Sequence, residues 1–423
     1  MIYRERILAG KLHQMLRRFP VVVVSGARQV GKSTLLRHEL PTWEMVVFDS
    51  ATDVGNARQD PDLFLDNHPS PLILDEIQYA PELIAALKRR VDRTVPPARG
   101  MAESVGRRAG QYVLTGSQQW SVLKTATESL AGRAVFLDMQ SFCLAEIAAP
   151  TAGDHWLKRY LDAPEAFVAS PGGRLETTRS VNEQIWRGFL PEANALDLDW
   201  LPDFHRAYMR TYIERDARLL ADVGDWQQFG RFVQIAAALT AQEINHSKLG
   251  RELGITPQTA QRWLATLRGT FQWLEIPAYH GNTIKRVSSK HKGYLADTGL
   301  ACTLQAISSP RVLSGHPLAG PLFETAVVAE INKLSESLIV RPMLHHWRSH
   351  GGAEVDALME RDGVFYPIEV KLGSRPSRQD ARGVDAFRET YPKLEVAPGL
   401  VIAPTGQMAK LCDGAYALPW DSR

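Results

Sequence analysis

Gly26-Ala27-Arg28-Gln29-Val30-Gly31-Lys32-Ser33 puts two glycines in G-x-x-x-x-G-K-S register with a lysine and a hydroxyl. That spacing suits a phosphate cradle: the glycines let backbone N–H groups turn inward, Lys32 neutralises β/γ charge, and Ser33 coordinates Mg²⁺ at a helix N-terminus. Thr34 falls next, near an α-phosphate. A second acidic signal follows in Pro71–Glu76, PLILDE, an apolar strand ending in two carboxylates. Phosphoryl transfer divides labour between such a pair, so Asp75 is expected to hold Mg²⁺ through water and Glu76 to orient or deprotonate the attacking water. Together these residues predict ATP and Mg²⁺ as ligands and ATP hydrolysis as the reaction.

Further candidates come from the next strands. Tyr112–Thr115 leads into Gly116, Ser117, Gln118 and Gln119, which offers Ser117, with Thr115 beside it, as a γ-phosphate sensor. Arg133 precedes the apolar run Ala134–Leu137 and is a candidate for stabilising transition-state charge on its own or a neighbouring subunit's nucleotide. The alternative is a plain surface arginine.

A different chemistry is suggested near the C-terminus. In Ala353–Leu372 two alternating runs flank Asp362-Gly363, a hairpin signal. With these as turn residues, Arg361 pairs with Val364 and Asp356 lies opposite Glu369 in a non-hydrogen-bonded pair, Cα atoms about 4.5 Å apart. Strand alternation adds Lys371 to the same face. Two carboxylates and a lysine so placed match a metal-dependent nuclease centre of the PD-(D/E)xK kind, with Asp356 and Glu369 on Mg²⁺ and Lys371 positioning the nucleophile. A self-paired surface face is the alternative.

The elements that must carry these groups follow from patterning. Apolar strands alternate with helical segments from Val21 to about Ile147, which implies a parallel sheet covered by helices on both faces, with nucleotide at the strands' carboxyl ends. Val95–Gly110 is rich in Pro, Gly and Arg and reads as an exposed loop. Ser247–Arg268 contains two helical patterns broken at Gly254 and restarted by Thr256 and Pro257, a helix-turn-helix signal. Its second helix would offer Gln258, Thr259, Gln261 and Arg262 to a DNA groove, and Lys285, Arg286, Lys290, His291 and Lys292 form a basic segment for backbone phosphates. Ala207–Leu220 is helical in period with Glu214, Arg215, Asp216 and Arg218 on polar faces; Arg215 or Arg218 could reach a γ-phosphate.

GARQVGKST, PLILDEIQYAPEL, YVLTGSQQ and ESLAGRAVFLDMQSFCLAEI together resemble the AAA-type ATPases of bacteria and archaea that carry a C-terminal domain of unknown function with a restriction-endonuclease-like fold. RTYIERDARLL, HKGYLADTGLAC, HPLAGPLFETAVVAEI and AEVDALMERDGVFYPIEVKLG continue the likeness over nearly the whole chain. The resemblance implies an α/β chain with an AAA-type P-loop domain (1–180), a helical lid (181–228), a winged helix (229–310) and a smaller α/β restriction-endonuclease-like domain (311–423). It adds Glu324 as a further acidic metal ligand and Pro191, in Gly188–Pro191, as an adenine contact. Phe189 departs there from the usual second glycine.

Composition sets outer limits. The chain has 423 residues, 44% hydrophobic and 23% charged, with a formal net charge of +2, so nucleic-acid contact must come from local patches. Cys143, Cys302 and Cys412 are far apart and read as reduced thiols. No run approaches the ~18 apolar residues of a membrane span, and a cytoplasmic protein with no membrane partner, and a homo-oligomer as one option, is expected. The functional expectation is an ATP-driven machine on DNA, the competing one a STAND-like regulatory switch that hydrolyses ATP slowly and uses its C-terminal domain for protein contacts.

Overall fold

The computed structural model describes residues 3–49, 55–93, 109–117, 130–148, 154–212, 217, 225–282, 290–349 and 351–423. These form two compact units, Met1–Ser141 with Gly269–Phe271, and Phe142–Arg268 with Gln272–Arg423.

The first unit is built on five parallel strands, β1 (Val21–Ser25), β2 (Glu44–Val47), β3 (Leu72–Asp75), β4 (Tyr112–Gly116) and β5 (Ala134–Asp138), in the order β2-β3-β4-β1-β5. Val21–Ser25 is buried throughout, as a strand flanked on both sides in a parallel sheet must be. Helix α1 (Lys32–Glu39) leaves the loop after β1, and α2 (Leu83–Arg93) buries Leu83, Ile84, Leu87 and Val91 at helical spacing. Leu83 and Leu87 join Val21, Val23, Leu72, Leu74 and Leu114 in one apolar cluster, which fixes the strand ends where the polar residues emerge.

The second unit holds α3 (Trp226–Ala238), α4 (His246–Leu253) and α5 (Pro257–Gly269), where Trp263 packs on Phe229 and Phe232 with ring centroids 5.5 and 5.3 Å apart. Gly254, at φ +67°, ends α4, and the Thr256 hydroxyl accepts the Thr259 N–H at 3.1 Å to start α5, as the sequence predicts. A three-stranded sheet follows, β6 (Gln242–Glu243), β7 (Trp273–Pro277) and β8 (His291–Leu295), with β8 central.

After helix α6 (Ala319–Ser337), the chain enters a mixed seven-stranded sheet. Its strands are β9 (Met343–Arg348), β10 (Glu354–Arg361), β11 (Val364–Val370), β12 (Glu395–Val396), β13 (Gly399–Ala403), β14 (Ala409–Cys412) and β15 (Ala415–Pro419). Helix α7 (Arg382–Thr390) lies between β11 and β12 in sequence. Asp362 and Gly363, both at positive φ, make the β10–β11 turn, and Arg361 pairs with Val364. The two sheets of this unit meet where Ala278, just past β7, bridges His346 on β9. All three cysteines are free. Among the described residues no helix is long and apolar enough to cross a membrane.

Candidate functional site

The loop after β1 closes on itself. Gly26 has φ +156°, and a side chain there would strike the carbonyl of Met139; Gly31, at φ +96°, sits directly before α1. Val30 is buried and Gln29 exposed at positive φ. The buried Lys32 folds back, its Nζ donating to the carbonyls of Gly26 at 2.8 Å and Ala27 at 2.9 Å. Arg28 reaches the hydroxyl of Tyr79 at 3.5 Å, and Thr34 is exposed on the first turn of α1. Two contacts not foreseen from sequence brace the loop. Buried Arg6 donates to the carbonyls of Val30 at 2.6 Å and Gln140 at 2.7 Å, and the Ser25 hydroxyl donates to Asp138 at 2.6 Å.

Asp75, at the end of β3, receives the Ser33 hydroxyl at 2.6 Å on one oxygen and the Thr115 hydroxyl on the other. A hydroxyl and a carboxylate facing each other are hard oxygen donors, so Ser33 and Asp75 fit Mg²⁺. Glu76 follows in the left-handed region, φ +58°, with its N–H donating to Thr115 Oγ1 at 3.0 Å. This aims its carboxylate at the side-chain amide of Gln78, whose Nε2 donates to Glu76 and, at 3.2 Å, to buried Ser117. Sequence reasoning missed Gln78, because the link exists only through the backbone turn at Glu76.

Arg133 and Pro191 have local surroundings of their own. Arg133 pairs with Asp92 on α2 through its Nε at 2.6 Å and Nη2 at 2.9 Å. It also stands at the amino end of β5, whereas the phosphate loop leaves the carboxyl end of the parallel β1. A five-residue strand spans roughly 17 Å, which separates Arg133 from the phosphate loop of its own chain. Pro191 begins a short helix in the second unit, and the preceding Phe189 is buried, its N–H bound to Asp297 at 2.7 Å. Gln118, Gln119, Glu214, Arg215, Asp216, Arg218, Lys285, Arg286 and most of the Val95–Gly110 loop lie outside the described residues.

On the second unit, Gln258, Gln261 and Arg262 are exposed on α5 and Thr259 is half-buried; Lys248 and Arg251 on α4 are exposed nearby in sequence. Lys290 is exposed as well, and His291 contacts Glu275 at 3.2 Å. Lys292 departs from the expected basic surface. Strand alternation turns it inward, where only 4% of it is accessible.

What Lys292 meets there is the acidic group of the C-terminal sheet. Its Nζ lies 2.6 Å from Glu324 on α6, 2.8 Å from Glu354 and 3.2 Å from Asp356, both on β10. Tyr294, two residues on, donates to Glu324 at 2.9 Å. The second oxygen of Asp356 accepts the Val370 N–H at 2.9 Å, and Lys371 binds Glu369 at 2.8 Å and Asp356 at 3.7 Å. Helix α7 approaches so closely at Gly383 that a side chain there would strike Glu369. Burial, then the neighbouring Asp356 charge, pushes Glu369 up to about 8 and Glu324 up to about 7. Burial opposes the charge on Lys292, yet Glu324, Asp356 and Glu354 outweigh it and raise its pKa.

Asp356, Glu369, Lys371 and Glu324 lie in one group, joined by Glu354, Lys292 and Tyr294, which were not foreseen as members. Lys292 and Tyr294 come from another sheet. As arranged, the group does not fit Mg²⁺: the centre of three carboxylates is taken by an ammonium. Among the described residues no set of three or more His, Cys, Asp or Glu is placed to hold a metal.

The parallel sheet, phosphate loop and paired carboxylates of the first unit are those of a P-loop ATPase domain of AAA type. Residues 18–148 match the family model described as AAA domain, while 178–311 and 319–422 match two models described as domains of unknown function, DUF8612 and DUF4143. The chain is similar to uncharacterized protein Rv2008c of Mycobacterium tuberculosis (strain H37Rv) and uncharacterized protein Mb2031c of Mycobacterium bovis. Each is 27% identical over 422 residues, covering 100% of this chain and 85% of the relative. Among solved structures, the Walker-type ATPase PABY2304 of Pyrococcus abyssi aligns over 72% of this chain and 96% of its own, at 14% identity and TM-score 0.40. The STAND protein PH0952 of Pyrococcus horikoshii aligns over 79% and 50%, at 10% identity and TM-score 0.25. Neither structural likeness is high enough to carry a role to this chain.

Proposed function

We propose that this chain hydrolyses Mg·ATP and couples the cycle to DNA, with residues 1–180 as the catalytic domain, 181–228 as a helical lid, and 229–310 as a winged helix. The observation that carries the hydrolytic reading is the chain of contacts Ser33–Asp75–Thr115–Glu76–Gln78–Ser117, which gathers hydroxyl, carboxylate and amide groups at the carboxyl ends of β3 and β4 next to the phosphate loop.

Backbone N–H groups from Gly26 to Ser33 would hold the β- and γ-phosphates, with Lys32 exchanging two carbonyl partners for phosphate oxygens. Ser33 and Asp75 would hold Mg²⁺, which supplies charge neutralisation when bound. Glu76 then accepts a proton from the attacking water as its oxygen bonds to the γ-phosphorus and the bond to the ADP oxygen breaks. Gln78 orients Glu76 through its amide. Because the Ser117 oxygen accepts from Gln78, its own hydroxyl hydrogen serves a γ-phosphate oxygen. Gln258, Thr259, Gln261 and Arg262 would face DNA bases, with Lys248, Arg251 and Lys290 on phosphates. Arg133, turned away from its own site, could act only on a neighbouring subunit's nucleotide.

Steady-state ATP turnover with Mg²⁺, measured without DNA and with single-stranded, duplex and branched DNA, tests this reading, with Lys32→Ala as the blank. Stimulation by one DNA form is the expected outcome. Slow turnover that no DNA form alters would overturn the DNA assignment and leave a nucleotide switch.

A further inference from the structure

The β10–β11 hairpin sets Asp356 and Glu369 face to face, the arrangement that would ordinarily be filled by a divalent cation. Here two lysines of the chain fill it: Lys371 lies on Glu369 and one oxygen of Asp356, and Lys292 on the other oxygen of Asp356 together with Glu324 and Glu354. Lys292 reaches the cluster from β8, a strand paired on both sides, with Ile276 of β7 and Glu243 of β6 as its direct neighbours in register. This pairing holds the Lys292 backbone beside the cluster, and its side chain is buried there. Mg²⁺ needs oxygen ligands at about 2.0–2.1 Å in near-octahedral geometry, and an ammonium 2.6 to 3.2 Å from Glu324, Glu354 and Asp356 holds the position such an ion would need. The remaining ligand capacity is engaged too. Asp356 spends its other oxygen on a backbone N–H, Lys371 binds Glu369, and Gly383 packs against it.

We propose that the ammonium of Lys292 is the resident cation of this site, standing in for a divalent metal, so that the C-terminal domain lacks metal-dependent nuclease chemistry and uses its acidic cluster to lock the β6-β8-β7 sheet onto α6 and β10. The inference is independent of the ATPase reading, because no residue of the phosphate loop takes part. Lys292, Tyr294 and the four carboxylates all belong to the second unit.

Mn²⁺ titration of the full chain, followed by electron paramagnetic resonance, tests it. Asp75→Asn serves as the background to remove the nucleotide-site metal. The expected result is no Mn²⁺ binding that Asp356→Asn abolishes, and no cleavage of plasmid DNA with Mg²⁺ or Mn²⁺. Stoichiometric Mn²⁺ binding lost in Asp356→Asn, or cleavage lost in that variant, would overturn the proposal. In the same background Lys292→Gln should gain Mn²⁺ affinity on the order of tenfold or more, read also as a rise in melting temperature with Mn²⁺. A folded Lys292→Gln with no such gain would refute the stand-in role. Should that variant not fold, the titration of the chain with Lys292 intact still decides the question.

Discussion

Lys32 and Lys292 are both buried, and both sit among oxygen atoms, yet those oxygens differ in kind. Lys32 donates to the neutral carbonyls of Gly26 and Ala27, contacts that phosphate oxygens can replace at a profit in charge. Lys292 faces three carboxylates brought from a helix and a strand, contacts no incoming anion can better. On the proposed readings the same side chain is a ligand-binding group in one unit and a structural counter-charge in the other. Burial does not separate these roles; the formal charge of the partners does.

The sharpest way to break this comparison is to remove each lysine and ask what is lost. Lys32→Ala should lower ATP turnover by about 10³-fold or more, with nucleotide binding lost and melting temperature little changed. Intact ATP affinity in that variant would move the phosphate site elsewhere. Lys292→Ala should do the reverse, destabilising the second unit by about 3–5 kcal/mol through its uncompensated carboxylates while turnover per folded molecule holds. Denaturant melts read beside turnover separate the two effects.

A third substitution sharpens what the first site needs beyond its lysine. Gln78→Ala should reduce kcat by roughly 10- to 100-fold with ATP affinity unchanged, because Glu76 loses its orienting amide rather than its carboxylate. An unchanged kcat would mean that Glu76 is held by its backbone alone.

Proton linkage probes the second site more gently. Glu369 and Glu324 are pushed up to about 8 and about 7 from 4.5, so the folded state keeps protons that the unfolded chain releases. Their stabilising share is complete below about pH 4.5 and is lost as pH rises through 7 to 8. Glu369→Gln should flatten that decline between pH 5 and 8 in thermal melts; a parallel profile would show that Glu369 is already ionised.

Arg133→Ala is expected to change least. Its Asp92 pair is partly exposed, worth about 0–1 kcal/mol, and turnover should stay within about twofold unless chains assemble. A large, concentration-dependent loss would place Arg133 in a partner's site.

Much of the first site was legible because its parts are local. Gly26 to Ser33 is one loop, and Asp75 and Glu76 end one strand, so spacing reports geometry directly. Arg133 shows an argument available in sequence but incomplete until strand direction is applied: a residue before a parallel strand sits at the end opposite a loop that follows one. The Asp356–Glu369 register was readable because Asp362-Gly363 fixes it. Lys292 was not, since strand parity decides which way it faces only after β8 is given its partners, and its carboxylates lie up to 64 residues away. Gln78 was hidden for a subtler reason, the positive φ of Glu76, which no residue type there announces.

The two matches of unknown function end at 311 and begin at 319, yet Lys292 lies before that break and Glu324, Glu354, Asp356 and Glu369 after it. The bridge from Ala278 to His346 crosses it as well. Residues 319–422 are thus not an exchangeable module. Moved into another chain, this segment would carry the anions without their cation, unless position 292 travels with it.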